Sequence, residues 1–132
     1  MHSFVQIWIS PVLKGLLFGL LAMALHEVGH FCAARVVGVK VKRVGLCWKG
    51  MYTVREAGPP VKNIQVSLAG PLTNLALMVF WPLSGVFGLA NFLCGACNLL
   101  PIEGSDGERV MKCLYELQRE RLAAREQQQM GD

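Results

Sequence analysis

Residues 24–31, Ala-Leu-His-Glu-Val-Gly-His-Phe, set an H-E-x-x-H pattern inside a nearly unbroken apolar run. Few folds can accommodate that combination. On a helix, His26 and His30 project from one face about 6 Å apart. That spacing lets two imidazoles bind one Zn2+, and Glu27 beside them could take a proton from a water on the metal. Ionisable groups are costly in hydrocarbon, so finding them in such a run points to a task and a partner. The bland alternative is a helix end whose polar residues sit at the water interface.

The rest of the sequence makes the hydrocarbon setting concrete. Of 132 residues, 53% are hydrophobic and 17% charged, too greasy for an ordinary soluble domain of this size. Apolar stretches over about 11–37, 61–81 and 86–100 read as three helices. The first opens on Pro11, a residue suited to a helix start; the second contains Pro71, which should kink it. The third gives only about 22 Å of helix against a hydrocarbon core of roughly 30 Å. Between the first two, Val39, Val41, Val44, Leu46 and Trp48 alternate with polar or small residues, and Lys49-Gly50 looks like a turn. This predicts a β-hairpin over about 39–56. From Glu108 an amphipathic helix follows, with Val110, Met111, Leu114 and Leu117 on one side. The expected fold is an all-α polytopic membrane protein with three transmembrane helices, that hairpin, and a C-terminal amphipathic cytoplasmic helix. Residues 1–117 form the core, and 118–132 a polar tail, frayed from about Glu120.

Other classes fit less well. A signal peptide ending near Ala22-Met23-Ala24 is disfavoured because the apolar pattern runs on past it. Five cysteines, an odd count with three in or beside apolar stretches, do not form a secreted disulfide framework. Cys94-Gly-Ala-Cys97 lacks the second pair of a zinc knuckle. The basic residues are not interleaved with aromatics, which argues against a nucleic-acid partner.

Charge placement orients the chain. Residues 1–13 and the 82–85 turn hold no Lys or Arg, whereas six fall in 38–62 and five after residue 108. The positive-inside rule puts the N-terminus outside and the hairpin and C-terminus in the cytoplasm. His26 then lies about 14 Å before Arg35 along its helix, in the cytoplasmic half. Gly70 lies at similar depth in the second helix, and Asp106 follows the third segment as it reaches the same side.

A catalytic zinc takes three protein ligands and keeps an open position. His2, the remaining histidine, falls on the far side. Asp106, flanked by Gly104 and Gly107, is the best candidate, with Glu103 behind it. Spacing alone leaves Asp106 equally balanced against a helix N-cap.

Three blocks resemble the site-2 protease family of intramembrane zinc metalloproteases. They are His26-Glu27-Val28-Gly29-His30; Ala69-Gly70-Pro71-Leu72-Thr73-Asn74-Leu75; and Asn98-Leu99-Leu100-Pro101 with Asp106-Gly107 at the spacing N-x-x-P-x-x-x-x-D-G. They occur in the family's order, and the match covers roughly residues 15–115. The resemblance implies that His26, His30 and Asp106 ligate zinc, that Glu27 is the general base, and that Asn74 and Asn98 position substrate or its oxyanion. It also implies that the hairpin edge could hold an extended substrate strand. The sequence departs from the family in Glu103-Gly104-Ser105 and in Glu108 after the Asp-Gly pair.

The reading is therefore a zinc-dependent intramembrane endopeptidase, cleaving transmembrane or membrane-adjacent segments of a protein substrate near the cytoplasmic face. Its setting would be the lipid bilayer of a prokaryotic plasma membrane. The bare core leaves room for a regulatory membrane subunit. The alternative is a non-proteolytic membrane scaffold or chaperone subunit that keeps the fold. A soluble zinc hydrolase is disfavoured by the long apolar segments.

Overall fold

The structure is a computed structural model that describes residues 4–47, 50–56 and 58–131. His2, Trp48 and Lys49, which entered the sequence argument, lie outside the described residues. The elements run α1 Phe4–Val37, β1 Val41–Cys47, β2 Gly50–Arg55, α2 Pro60–Leu77, a 3-10 turn Met78–Phe80, α3 Gly85–Leu99 and α4 Asp106–Gly131.

Two expected boundaries are corrected. Helix α1 begins at Phe4, with Pro11 inside it. Residues 4–10 contain no glycine and no other proline, and Pro11 costs that stretch the bond its missing N–H would have made to Ile7 and crowds the Ile7 carbonyl with its ring. The C-terminal stretch is helical: α4 runs unbroken to Gly131. Residues 118–130 are Gln, Arg, Glu, Leu, Ala and Met, all strong helix formers, so polarity there does not end the helix.

The stop of α1 is built locally. Gly38 adopts φ +73°, the left-handed conformation that glycine takes without strain. The Gly38 N–H then donates to the Arg35 carbonyl at 3.4 Å and the Val39 N–H to the Ala34 carbonyl at 2.8 Å, the paired bonds of a Schellman cap. Val39 is thereby turned into a small apolar cluster with Ala34 and Val66, joining the ends of α1 and α2. The chain leaves as β1, antiparallel to β2, with a register irregularity between Val41 and Arg43. Ser84 caps α3, its hydroxyl accepting from the Phe87 N–H at 3.4 Å.

The distribution of polarity is inverted relative to a water-soluble domain. Among the largest fully buried side chains are Asn74, Asn91 and Ser67. Leu16 and Leu20, by contrast, are each 61% exposed, and Val12, Leu13 and Leu17 are exposed beside them. An apolar surface on this scale calls for a covering, and a bilayer supplies it. The chain is a membrane protein. Among the described residues, two helical stretches are long and apolar enough to span, Ser10–Val37 and Pro60–Phe80; Gly85–Leu99 is a shorter apolar helix.

Candidate metal centre

Helix α1 carries His26 and His30 on one face, as their spacing requires. Helix α2 crosses that face closely because Gly29 and Gly70 lack side chains. A Cβ on Gly29 would overlap the Thr73 side chain and the Ala69 carbonyl, and one on Gly70 would strike both imidazoles, lying 2.8 Å from His26 Nε2. Pro71 follows inside α2 and is buried.

The third arm is the start of α4. Leu100 is extended, as a residue preceding proline tends to be, and the segment to Ser105 is not helical. Ser105 is the cap: its hydroxyl accepts from the Glu108 N–H at 3.1 Å, while Glu108 Oε2 accepts from the Gly104 N–H at 2.8 Å. This is a capping box shifted by one residue at its return bond. Lys112 pairs with Glu108 at 2.7 Å. The two departures from the family pattern thus form the device that starts the helix. Because Ser105 does the capping, the Asp106 side chain is released from that role. Gly107 lets this first turn press against the Leu99 and Leu100 carbonyls, where any Cβ would collide.

Asp106 therefore reaches the histidines. Its Oδ2 lies 2.9 Å from His26 Nε2 and 3.0 Å from His30 Nε2, and the two Nε2 atoms are 3.1 Å apart. All three residues are buried, at 3%, 5% and 2% exposure for Asp106, His26 and His30. Arg109 Nη1 donates to the other Asp106 oxygen, Oδ1, at 3.3 Å.

The outer ring nitrogens fix what the inner ones can be. His30 Nδ1 donates to the Val66 carbonyl at 2.7 Å. His26 Nδ1 donates to Asn74 Oδ1 at 2.8 Å, while Asn74 Nδ2 donates to the Ala22 carbonyl and to Asn91 Oδ1, each at 2.9 Å. With both Nδ1 atoms protonated, a neutral ring presents a lone pair at Nε2. Two such nitrogens and a carboxylate oxygen facing one another at this range repel unless a cation lies among them. Ligands of a tetrahedral Zn2+ stand about 3.3–3.5 Å apart, given bonds of 2.0–2.2 Å. The donor set and its spacing fit that ion after an expansion of a few tenths of an ångström.

Glu27 is half-buried, and a carboxylate oxygen of it lies within 4.8 Å of a ring nitrogen of each histidine, a group that could hold a metal ion. The structure brings Asp106, rather than Glu27, into contact with both inner nitrogens. Glu27 stands beside the two histidines. Glu103 is exposed.

Both asparagines are engaged within the fold. An oxyanion needs a spare N–H, and Asn74 spends both of its amide hydrogens on Ala22 and Asn91. Asn98 Nδ2 faces its own helix, donating to the Cys94 carbonyl at 2.8 Å and lying 3.8 Å from Cys94 Sγ. Through its Oδ1, Asn74 also fixes the orientation of the His26 ring. Asn91, buried and donating to the Phe87 carbonyl at 2.9 Å, supports Asn74; sequence reasoning missed it. Its signal was an amide in an apolar helix, seven residues before Asn98 and on the same face.

No family model matches the chain. Zinc metalloprotease MJ0392 of Methanocaldococcus jannaschii is 25% identical over 107 residues, covering 70% of this chain and 32% of that protein. Stage IV sporulation protein FB of Bacillus subtilis is 32% identical over 120 residues, covering 80% of this chain and 42% of its own length. The chain thus spans about a third of the first relative and two fifths of the second. Among solved structures, a site-2 protease from Methanocaldococcus jannaschii superposes with a TM-score of 0.66 at 24% identity, over 75% of this chain and 52% of that one.

Proposed function

The site-2 protease fold and the zinc-metalloprotease relatives support membership of the site-2 protease family, and on that premise we propose that this chain is a zinc-dependent intramembrane endopeptidase. It would hydrolyse peptide bonds in transmembrane or membrane-adjacent segments near the cytoplasmic face. The observation that carries this reading is the cluster of two Nε2 atoms and one carboxylate oxygen, all within 3.1 Å of one another, with both outer ring nitrogens already engaged.

His26, His30 and Asp106 would hold the zinc. Bound there, the ion supplies Lewis acidity, polarising a carbonyl and easing the deprotonation of water. Glu27 accepts the proton of the attacking water and returns it to the leaving amine. Asn74 and the Val66 carbonyl keep each imidazole in the tautomer that turns Nε2 inward. Arg109 holds the second oxygen of Asp106, leaving Oδ2 to the site. Gly70 keeps the space above the rings clear of side-chain atoms.

The same proposal has three crossings of a prokaryotic plasma membrane, with the N-terminus outside and the hairpin and C-terminus in the cytoplasm. Helix α3 has 15 residues, about 22 Å, so the start of α4 completes the third crossing. Substrate enters as an extended strand along the hairpin edge, because a helical segment hides its peptide bonds from attack.

Zinc content and cleavage of a transmembrane substrate, measured on detergent-purified protein, test the reading together. Wild type should hold one zinc per chain. Asp106→Ala and His26→Ala should lose it, and Glu27→Gln should keep it while losing cleavage by about 100-fold or more. Unchanged function in Glu27→Gln would favour the scaffold instead.

A further inference from the structure

A second concentration of charge lies where α1 ends, apart from the metal centre. Arg35, Lys40, Lys42 and Arg43 line an open groove of about 560 Å³, floored by Phe31 and Gly38. The left-handed turn at Gly38 folds the chain back so that β1 brings its cations over the helix end. The guanidinium of Arg35 lies 5.0 Å from the centre of the Phe31 ring, which holds it on the groove wall. Lys62, at the start of α2, brings its Nζ within 3.9 Å of where a Cβ on Gly38 would stand. The groove lining contains no carboxylate. Glu56 approaches Lys42 from outside, at 3.8 Å. Among the described residues, Arg35 and Lys40 add to this pair with no carboxylate in the lining, so the groove is net positive.

Position makes the charge meaningful. The span Ser10–Val37 ends in the groove, so the groove sits where α1 leaves hydrocarbon. Val36, adjacent to Arg35, is almost fully exposed, an apolar side chain in place against acyl chains. A ligand at this level has an anionic head and an apolar tail.

We propose that this groove binds the phosphate-bearing headgroup of an anionic phospholipid, with its acyl chains along the exposed face of α1. The inference rests on the membrane reading of the chain but not on the proposed hydrolysis. Juxtamembrane cations attract anionic lipid by about fivefold each, and here several converge on one concavity.

The test is native mass spectrometry of detergent-purified protein, titrated with phosphatidylglycerol or phosphatidylcholine. Wild type should retain phosphatidylglycerol at least about fivefold better. Arg35→Gln with Lys40→Gln should weaken that retention by about tenfold or more, and Lys40→Gln alone by about fivefold, which carries the test if the double variant melts early. Arg119→Gln with Arg125→Gln removes the same charge from α4 and should leave retention unchanged. Zinc content should be unaltered throughout, so loss of lipid with zinc retained separates this site from the metal centre. Absence of a lipid preference, equal weakening by the α4 pair, or displacement by millimolar inorganic phosphate would each overturn the proposal. Release of the chain from membranes without detergent would instead overturn the membrane reading beneath it.

Discussion

The metal centre and the hairpin end of the molecule are built from similar chemistry, yet they hold it differently. At the centre, Asp106 is 3% exposed and its oxygens face His26 and His30 on α1 and Arg109 on α4. At the hairpin, Lys42 and Glu56 pair at 3.8 Å with side chains 60% and 47% exposed. Each region has oppositely charged partners. What distinguishes them is that several helices fix the first set, whereas water can replace either member of the second. The lesson is that burial between elements, rather than possession of a partner, decides how much a polar contact carries. A graded series of substitutions can break or sharpen that contrast.

The largest effect is expected at Gly70, which makes no hydrogen bond through a side chain at all. Gly70→Ala puts a methyl group against His30 Nε2 and His26 Nε2, in the space the metal site needs. Misplacement by about 1 Å costs on the order of 100-fold in rate, so cleavage should fall at least that far and zinc per chain should drop. Gly15→Ala is the control, because nothing lies within 4 Å of a Cβ there. Similar losses in both variants would mean that helix packing in general, and not the cramped centre, is being read.

Next is Asn74→Ala, which leaves His26 Nδ1 and Asn91 Oδ1 without their partner. An orienting group behind a metal ligand is worth about 10- to 100-fold in affinity, and each orphaned buried polar atom costs roughly 1–3 kcal/mol. Zinc competition with a fluorescent chelator should show a loss in that range, with kcat reduced less than affinity. An oxyanion role would give the opposite pattern, with zinc affinity intact and kcat collapsed. This measurement therefore decides between the role expected from the resemblance and the one the hydrogen bonds support.

The pair of expectations for Asn74 marks how far the sequence could be read. His26, Glu27 and His30 were legible because they lie on one helix, where spacing alone fixes relative direction. Asp106 was legible only as a candidate. Its approach depends on two glycines in different elements, Gly70 and Gly107, whose missing side chains matter only once α2 and α4 are packed. Asn74 was found, but its contacts were not, since its partners come from α1 and α3 and no local pattern names them. The Ser105-x-x-Glu108 cap was readable as a local motif, yet those residues first stood out as departures from the family pattern. The end of α4 was misjudged because polarity was weighed above helix propensity.

A smaller effect is expected at that cap. Ser105→Ala removes the acceptor for the Glu108 N–H and the donor to the Leu100 carbonyl at 2.6 Å. Losing such a cap costs about 1 kcal/mol. Because Asp106 is the next residue, the loss should appear as a several-fold weaker zinc affinity as well as an earlier thermal transition. Ser105→Thr should restore most of both. A drop in stability with zinc affinity unchanged would show that the Gly107 contact alone is enough to hold Asp106 in place.

The smallest effect falls on the exposed pair. Lys42→Ala and Glu56→Ala each break a contact whose members are about half in water, where such pairs contribute about 0–1 kcal/mol. Each should shift unfolding free energy by no more than about 0.5 kcal/mol and leave zinc content untouched. The two changes combined should be additive, because a solvent-screened pair has little coupling to lose. A coupling above about 1 kcal/mol in that cycle would contradict the contrast drawn here. It would mean that the open ends of the two strands are locked to each other by this pair.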